Sequence, residues 1–233
     1  MKIKTFYARN LPHLLPIGAS LFVTPRLAGS IPLHLIDQWK REKKEAIQKI
    51  KDQFKPQKGF TGAANSQLGE QRKSLITNIQ KRYFAKVDDY LDKAAFGPTW
   101  LKDTKAAEEL AKKIHQYDGE YYDLIAFTIM SNHFHLLIDT SSQLTDIPDN
   151  IEITTENYAP LEKIMHRIKG GSAFEINKVI SRKGRFWQPE SYDHFTRTVE
   201  EFFNIIRYIA NNPVKAGLVR QWNDFPFTYV KSD

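Results

Sequence analysis

The sequence contains no cysteine in 233 residues. That removes disulfides, thiolate catalysis and cysteine-ligated zinc or iron–sulfur centres from consideration. No apolar run approaches the roughly 18 residues that a membrane-spanning helix needs. The first residues, MKIKTFYARNLPHLLPIG, are interrupted by Arg9, Asn10, Pro12, His13 and Pro16, so they do not form the unbroken apolar segment of a signal peptide. A reducing, cytoplasmic setting is the expectation. An acidic excess is also missing: 34 Lys+Arg stand against 27 Asp+Glu, a formal charge of +7, which favours a polyanionic partner. Hydrophobic residues make up 41% of the chain and aromatic ones 12%, enough for a packed core. The length suits a single domain over 1–233 that carries one sizeable insertion.

Residues 19–27 (ASLFVTPRL) have strand composition, with Pro25 at an edge or bulge. Gly29, Ser30 and Pro32 then announce a helix in which Ile36, Trp39, Ile47, Ile50 and Phe54 recur at helical spacing. Its lysines alternate with Glu42, Glu45 and Asp52, the pattern of a solvated face more than of a nucleic-acid patch. The polar stretch 55–68 reads as an exposed loop, and 70–95 and 103–115 as further helices, so that 55–118 is a loop and helical insertion between the first helix and the second strand. Residues 121–140 (YYDLIAFTIMSNHFHLLIDT) hold two strand-like runs about Ser131-Asn132, a hairpin pattern. A helix follows over Leu161 to Val179, with Gly170-Gly171 as a weak point. Then come a strand over 186–195 and a helix from Val199 to Ala210 halted by Asn211-Asn212-Pro213. The order strand, helix, strand, strand, helix, strand predicts an α+β, ferredoxin-like (split βαβ) antiparallel sheet with helices on one face.

His133 and His135 are separated by one residue within the most strand-like segment. Alternation along a strand places both on one face, about 7 Å apart at the backbone, and Phe134 on the other. Two imidazoles so placed can converge on a metal ion. Taken alone, the pattern also fits two ordinary polar residues on the wet face of a sheet.

The surrounding run Met130-Ser131-Asn132-His133-Phe134-His135-Leu136-Leu137-Ile138 resembles the catalytic strand of the HUH single-strand DNA transposases, in particular the REP-associated tyrosine transposases. Asn10-Leu11-Pro12-His13 with Phe22-Val23-Thr24-Pro25-Arg26-Leu27 is similar to that family's N-terminal motif. Gly184-Arg185-Phe186-Trp187-Gln188 is similar to its Gly-x-Phe/Leu-Trp-Gln motif, and the run from Tyr208 to Val219 (YIANNPVKAGLV) to its C-terminal signature.

The resemblance implies a metal-dependent endonuclease and strand transferase acting on single-stranded or hairpin DNA through a covalent phosphotyrosine, in DNA transposition or repeat mobilisation. It implies a nucleoid-associated cytoplasmic enzyme, with a homodimer as one possible assembly. His133 and His135 would hold Mg²⁺ or Mn²⁺, and Asn177 occupies the place of an oxygen ligand. The sequence departs from the family where its nucleophile belongs: Lys169-Gly170-Gly171-Ser172 is followed by no tyrosine before Asn177. Ser172 stands near that place, Tyr192 is the nearest alternative nucleophile, and Tyr208 reads as core. The missing tyrosine also sustains a second expectation, a non-cleaving DNA or RNA hairpin binder on the same fold. Arg26, Arg182, Lys183, Arg185, Arg197 and Lys215 are candidate phosphate contacts, and Trp187 a candidate platform for an unpaired base.

Overall fold

The structure, a computed structural model, describes residues 3, 6–8, 12–55, 62–145, 147–148 and 150–232. In chain order it forms β1 (Phe6–Ala8), β2 (Pro12–Leu14), β3 (Ser20–Thr24), α1 (Leu33–Gln53), α2 (Gly62–Asp92), α3 (Thr104–Gln116), β4 (Asp123–Ile129), β5 (Phe134–Asp139), α4 (Leu161–Val179), β6 (Tyr192–Phe195), α5 (Val199–Lys215) and β7 (Thr228–Val230). Two compact units result: Gly29–Gly97, and Met1–Ala28 together with Pro98–Asp233. Among the described residues no helix is long and apolar enough to cross a membrane.

The unit Gly29–Gly97 is a pair of helices. Trp39 of α1 packs with Ile31 and Leu91, and its ring meets Tyr90 edge-on at 5.5 Å. Lys44, Lys49 and Lys51 of α1 are exposed, but Lys43 lies over the Tyr83 ring at 4.7 Å, and burial pushes its ammonium down to about 8. The unfolded value is near 10.4. Between these values the unfolded chain binds more protons, so stability rises as pH climbs from about 8 to about 10.4. Lys43→Met should therefore stabilise the unit by roughly 1 kcal/mol at pH 7, after allowance for partial exposure, with the gain fading by pH 10. Urea titrations at the two pH values check this.

The excursion expected at 55–118 has other bounds, because α1 pairs with α2 and both belong to Gly29–Gly97. Residues 62–68, read as loop, open α2. Residues 56–61 lie outside the described ones. Gly97, with φ +78°, closes the unit; a Cβ there would stand 2.3 Å from the Gly29 carbonyl oxygen, so only glycine fits.

The other unit is built on a five-stranded antiparallel sheet in the order β6-β3-β5-β4-β7. Its first four strands have the split βαβ order, with β7 added along β4. The hairpin turn falls at Ser131-Asn132 as expected, with Met130 N–H donating to His133 O at 2.9 Å. Neither turn residue takes the positive φ that two-residue hairpins favour. The turn is pinned from outside instead, by Leu101 N–H on Ser131 O and Leu27 N–H on Asn132 O. The strand expected over 186–195 is shorter, β6 starting at Tyr192, because Pro189 carries no N–H for a ladder. Phe186, Trp187 and Gln188 reach the Arg26–Ala28 backbone through isolated bonds.

One face of the sheet, carrying Leu21, Val23, Phe134, Leu136 and Ile138, packs against α3 and α4 in the main core. The expectation of helices on one face describes these two. α5 lies against the opposite face, where Tyr208 meets the rings of Phe22 and His135. Two further expectations change. α4 runs unbroken through Gly170-Gly171; the second glycine lets Lys113 of α3 pass, since a Cβ would sit 3.2 Å from its side chain. α5 continues through Pro213 and stops at Gly217, where φ is +70° and Gly217 and Leu218 N–H close on Val214 and Pro213 carbonyls. The Schellman pair of bonds ends the helix, whereas the proline costs only one N–H near its last turn.

Candidate metal centre

β3, β5 and β6 place their polar residues in register on the α5 face. Tyr192 stands opposite Thr24, His194 opposite Phe22, and Thr128 of β4 opposite His135, while Arg26 forms a bridge with His133. A polar row therefore crosses the middle of the sheet, a place that otherwise favours apolar residues.

Both histidines are fully buried, at 0% exposure, and each is held at its Nδ1 atom. His133 Nδ1 donates to the Asn132 side-chain carbonyl oxygen at 2.7 Å, and His135 Nδ1 bonds the Thr24 hydroxyl at 2.9 Å. The His135 ring stacks on Phe22 at 5.7 Å and takes Tyr208 edge-on at 5.3 Å. This fixes both rings with their Nε2 atoms 3.2 Å apart. Two nitrogens so close can each lie about 2.1 Å from one ion, and ligand histidines characteristically have the other ring nitrogen bonded, as here. The donor set fits a divalent cation. Mg²⁺ and Mn²⁺ also want oxygen ligands, which a phosphate can supply.

The expected oxygen ligand is not brought there. Asn177 lies on α4, against the opposite face, where its side-chain oxygen accepts from Arg182 at 2.8 Å and its amide donates to Gly184 O at 3.2 Å. Ser172 lies on that face too, fully buried. It donates to Lys169 O and accepts from Trp187 Nε1 at 3.1 Å, so it has no route to a phosphodiester. A cleft of about 370 Å³ on this side, between α4 and the 187–193 segment, includes Met165, His166 and Lys169 but neither His133 nor His135.

Tyr192 does share the face of the pair. The Phe22 ring, 6.2 Å from Tyr192 and 5.7 Å from His135, has a centroid contact with each. Burial raises the Tyr192 phenol well above its ordinary value, with the Asp193 and Glu201 carboxylates adding and Arg197 opposing. Tyr208, read from sequence as core, has its ring directly against His135. Helical spacing identified it as inward-facing without showing which sheet residue it would meet.

The candidate nucleic-acid contacts divide. Trp187 is no open platform: 6% exposed, it packs on Phe134 and Phe186 at 5.3 and 4.9 Å. Arg182 lies 3.6 Å over Trp100 and donates to Asn177 and to the Gly184 and Arg185 carbonyls, so it secures the end of α4. That end is a Schellman turn with Ser181 at φ +53°. Lys183, Arg185, Arg197 and Lys215 are exposed, and Arg26 is half-buried on the face of the pair. Asn10 and Leu11 of the N-terminal motif lie outside the described residues.

Residues 99–212, just under half the chain, match the family model described as "Transposase IS200 like". That stretch holds β4, β5, α4 and β6, and so the histidine pair. This part of the chain is similar to the IS200-like transposases. Its relatives narrow the likeness to REP-associated tyrosine transposases. A Haemophilus influenzae protein named as a candidate member is 29% identical over 112 residues, 48% of this chain and 61% of that one. An Escherichia coli REP-associated tyrosine transposase is 38% identical over 47 residues, 20% of this chain and 28% of that one. The matched stretch spans less than two thirds of either relative. A solved REP-associated tyrosine transposase bound to a REP hairpin aligns over 95% of this chain and 80% of its own, with 16% identity and a TM-score of 0.38.

Proposed function

We propose that the protein is a metal-dependent endonuclease and strand transferase for single-stranded DNA of hairpin-forming repeats, working through a covalent phosphotyrosine. The observation that carries this reading is the convergence of two buried imidazoles, Nε2 to Nε2 at 3.2 Å, with Arg26 bridged to His133 beside them. A bound Mg²⁺ or Mn²⁺ would stabilise charge developing on a phosphoryl oxygen. His133 and His135 hold it, and Arg26 steers the phosphate by charge.

A tyrosine hydroxyl then attacks phosphorus. The new bond joins the phenolic oxygen to phosphorus and the bond to the 3′ oxygen breaks. The phenol proton passes to water and the departing oxygen takes one up, leaving a free 3′-hydroxyl and a 5′-phosphotyrosine. Two tyrosines share the face of the pair. Tyr208, with its ring against His135, is the stronger nucleophile candidate, and Tyr192, with its raised phenol, is the second.

The test is a labelled single-stranded hairpin incubated with Mn²⁺ and resolved on denaturing gels. Wild type should give a protein–DNA adduct, lost in Tyr208→Phe and retained in Tyr192→Phe; the reverse pattern reassigns the nucleophile. Hairpin binding with neither adduct nor cleavage under any divalent ion would favour the second reading, a non-cleaving binder. The position of Ser172, buried where the family's helix would carry its tyrosine, is what supports that alternative.

A further inference from the structure

We infer that the outer face of α4 is a track for the unpaired DNA flanking the hairpin, with Phe174 as the platform on which a base stacks. This rests on the reading of the protein as acting on single-stranded hairpin DNA, and adds the surface that holds the strand beyond the histidine pair.

His166, Gly170, Phe174 and Lys178 follow one another at four-residue spacing along α4, and residues so spaced form one ridge of a helix. All four are exposed, Phe174 at 70%. The ridge rises about 18 Å from His166 to Lys178, the reach of a few nucleotides. A lone exposed ring is common on protein surfaces, so it is the surroundings of Phe174 that point to a ligand. Lys178 lies one turn beyond it. The loop after α4 folds back on the helix end, Asn177 donating to Gly184 O at 3.2 Å and Arg182 to Arg185 O at 2.8 Å. That loop returns Lys183 and Arg185, both exposed, to the last turn of α4. Three exposed cations therefore stand at this end of the helix against one carboxylate, the half-buried Glu175. An aromatic ring with cations about it is the surface a single strand requires, its bases on the ring and its phosphates on the charges.

On the other side of Phe174 the ridge borders the cleft between α4 and the 187–193 segment, which His166 and Gly170 help to line. A Cβ on Gly170 would meet nothing within 4 Å, whereas one on Gly171 would crowd Lys113. Packing therefore does not call for the first glycine, although glycine weakens a helix relative to alanine. Its missing side chain instead keeps the cleft open toward Phe174. The cleft combines apolar Val23, Met165 and Trp187 with the carboxylates of Glu162, Glu190 and Asp193. Carboxylates repel phosphate but accept from base amino groups, so a base enters the cleft while the backbone stays on the ridge. β6 is the edge strand of the sheet. DNA engaged at the histidine pair on one face has only this edge to pass to reach α4 on the other.

Fluorescence anisotropy at one fixed salt concentration compares a DNA hairpin carrying a mixed-sequence unpaired tail, on its 5′ or its 3′ side, with the same hairpin lacking the tail. Wild type should bind a tailed hairpin about tenfold or more tightly than the tailless one. Phe174→Ala should weaken tailed binding by about 5–150-fold, the loss expected for one stacked base, and change tailless binding by less than about twofold. Phe174→Tyr, which keeps the ring, should stay within about threefold of wild type on both probes. Gly170→Leu, a good helix former that fills the cleft mouth, should weaken only the tailed hairpin, by about tenfold. Because the ring is 70% exposed, Phe174→Ala should melt within about 2 °C of wild type. Tailed binding equal in wild type and Phe174→Ala, or no advantage of either tail in wild type, overturns the track and leaves the metal-centre reading standing. Gly170→Leu binding as wild type does overturns the part given to the cleft. Tailed binding that depends on Phe174, with no cleavage under Mn²⁺ or Mg²⁺, upholds the track and overturns the endonuclease reading.

Discussion

Alanine at His133 is expected to lower strand cleavage by about 10³-fold or more at any Mn²⁺ concentration, with the fold retained. The charge stabilisation that a bound ion supplies amounts to several kcal/mol of barrier, and each 1.36 kcal/mol is a factor of ten. One imidazole alone is a poor site for a hard cation, so added metal should not restore the rate. Stability should fall by only about 1–3 kcal/mol, the cost of a cavity and of taking the His133 ring away from the Asn132 side-chain carbonyl and His135 Nε2. Cleavage time courses on gels, together with thermal melts, separate the two effects. A variant cleaving within tenfold of wild type would end the metal-centre reading.

Trp187→Ala should have the largest effect on stability, about 3–5 kcal/mol. The indole fills the core between Phe134 and Phe186, and its Nε1 donates to the buried Ser172 hydroxyl, a bond that alanine would remove. Trp187→Phe restores most of the volume, though not that bond. Its affinity for an unpaired oligonucleotide should then stay within about threefold of wild type, whereas removing a stacking platform costs about 1–3 kcal/mol of binding. Guanidinium titrations and fluorescence anisotropy with a single-stranded probe measure both. Stable Trp187→Ala protein with strongly weakened binding would return Trp187 to the DNA surface.

His133 shows where sequence reasoning succeeds. Period-2 alternation through 133–138 determines which residues share a face, and the structure keeps that pattern to the end of β5. The turn at Ser131-Asn132 and the bounds of α4 were equally legible, because apolar spacing and turn composition are local properties. What was illegible depends on partners distant in sequence. Trp187 and Arg185 are two residues apart in one motif, yet one is core and the other exposed, since burial is decided by Phe134 and Ser172. Arg182 looks like any basic residue until Trp100 and Asn177 are seen around it. Tyr208 could be identified as inward-facing, but which strand it would meet depends on the side of the sheet α5 takes. Thr24, inside a motif noted for its family likeness, gave no signal of its own, because its role lies in a bond to a residue more than a hundred positions away.

The close approach of Gly97 to Gly29 bears on how the chain tolerates its helical pair. A segment whose ends touch imposes on its host no more closure entropy than a tight turn would, because the loop is already closed by contacts of its own. Lengthening, shortening or exchanging α1 and α2 therefore leaves the path of the flanking strands unstretched. Such a junction lets the helical pair change in length without pulling on the chain at either side of it.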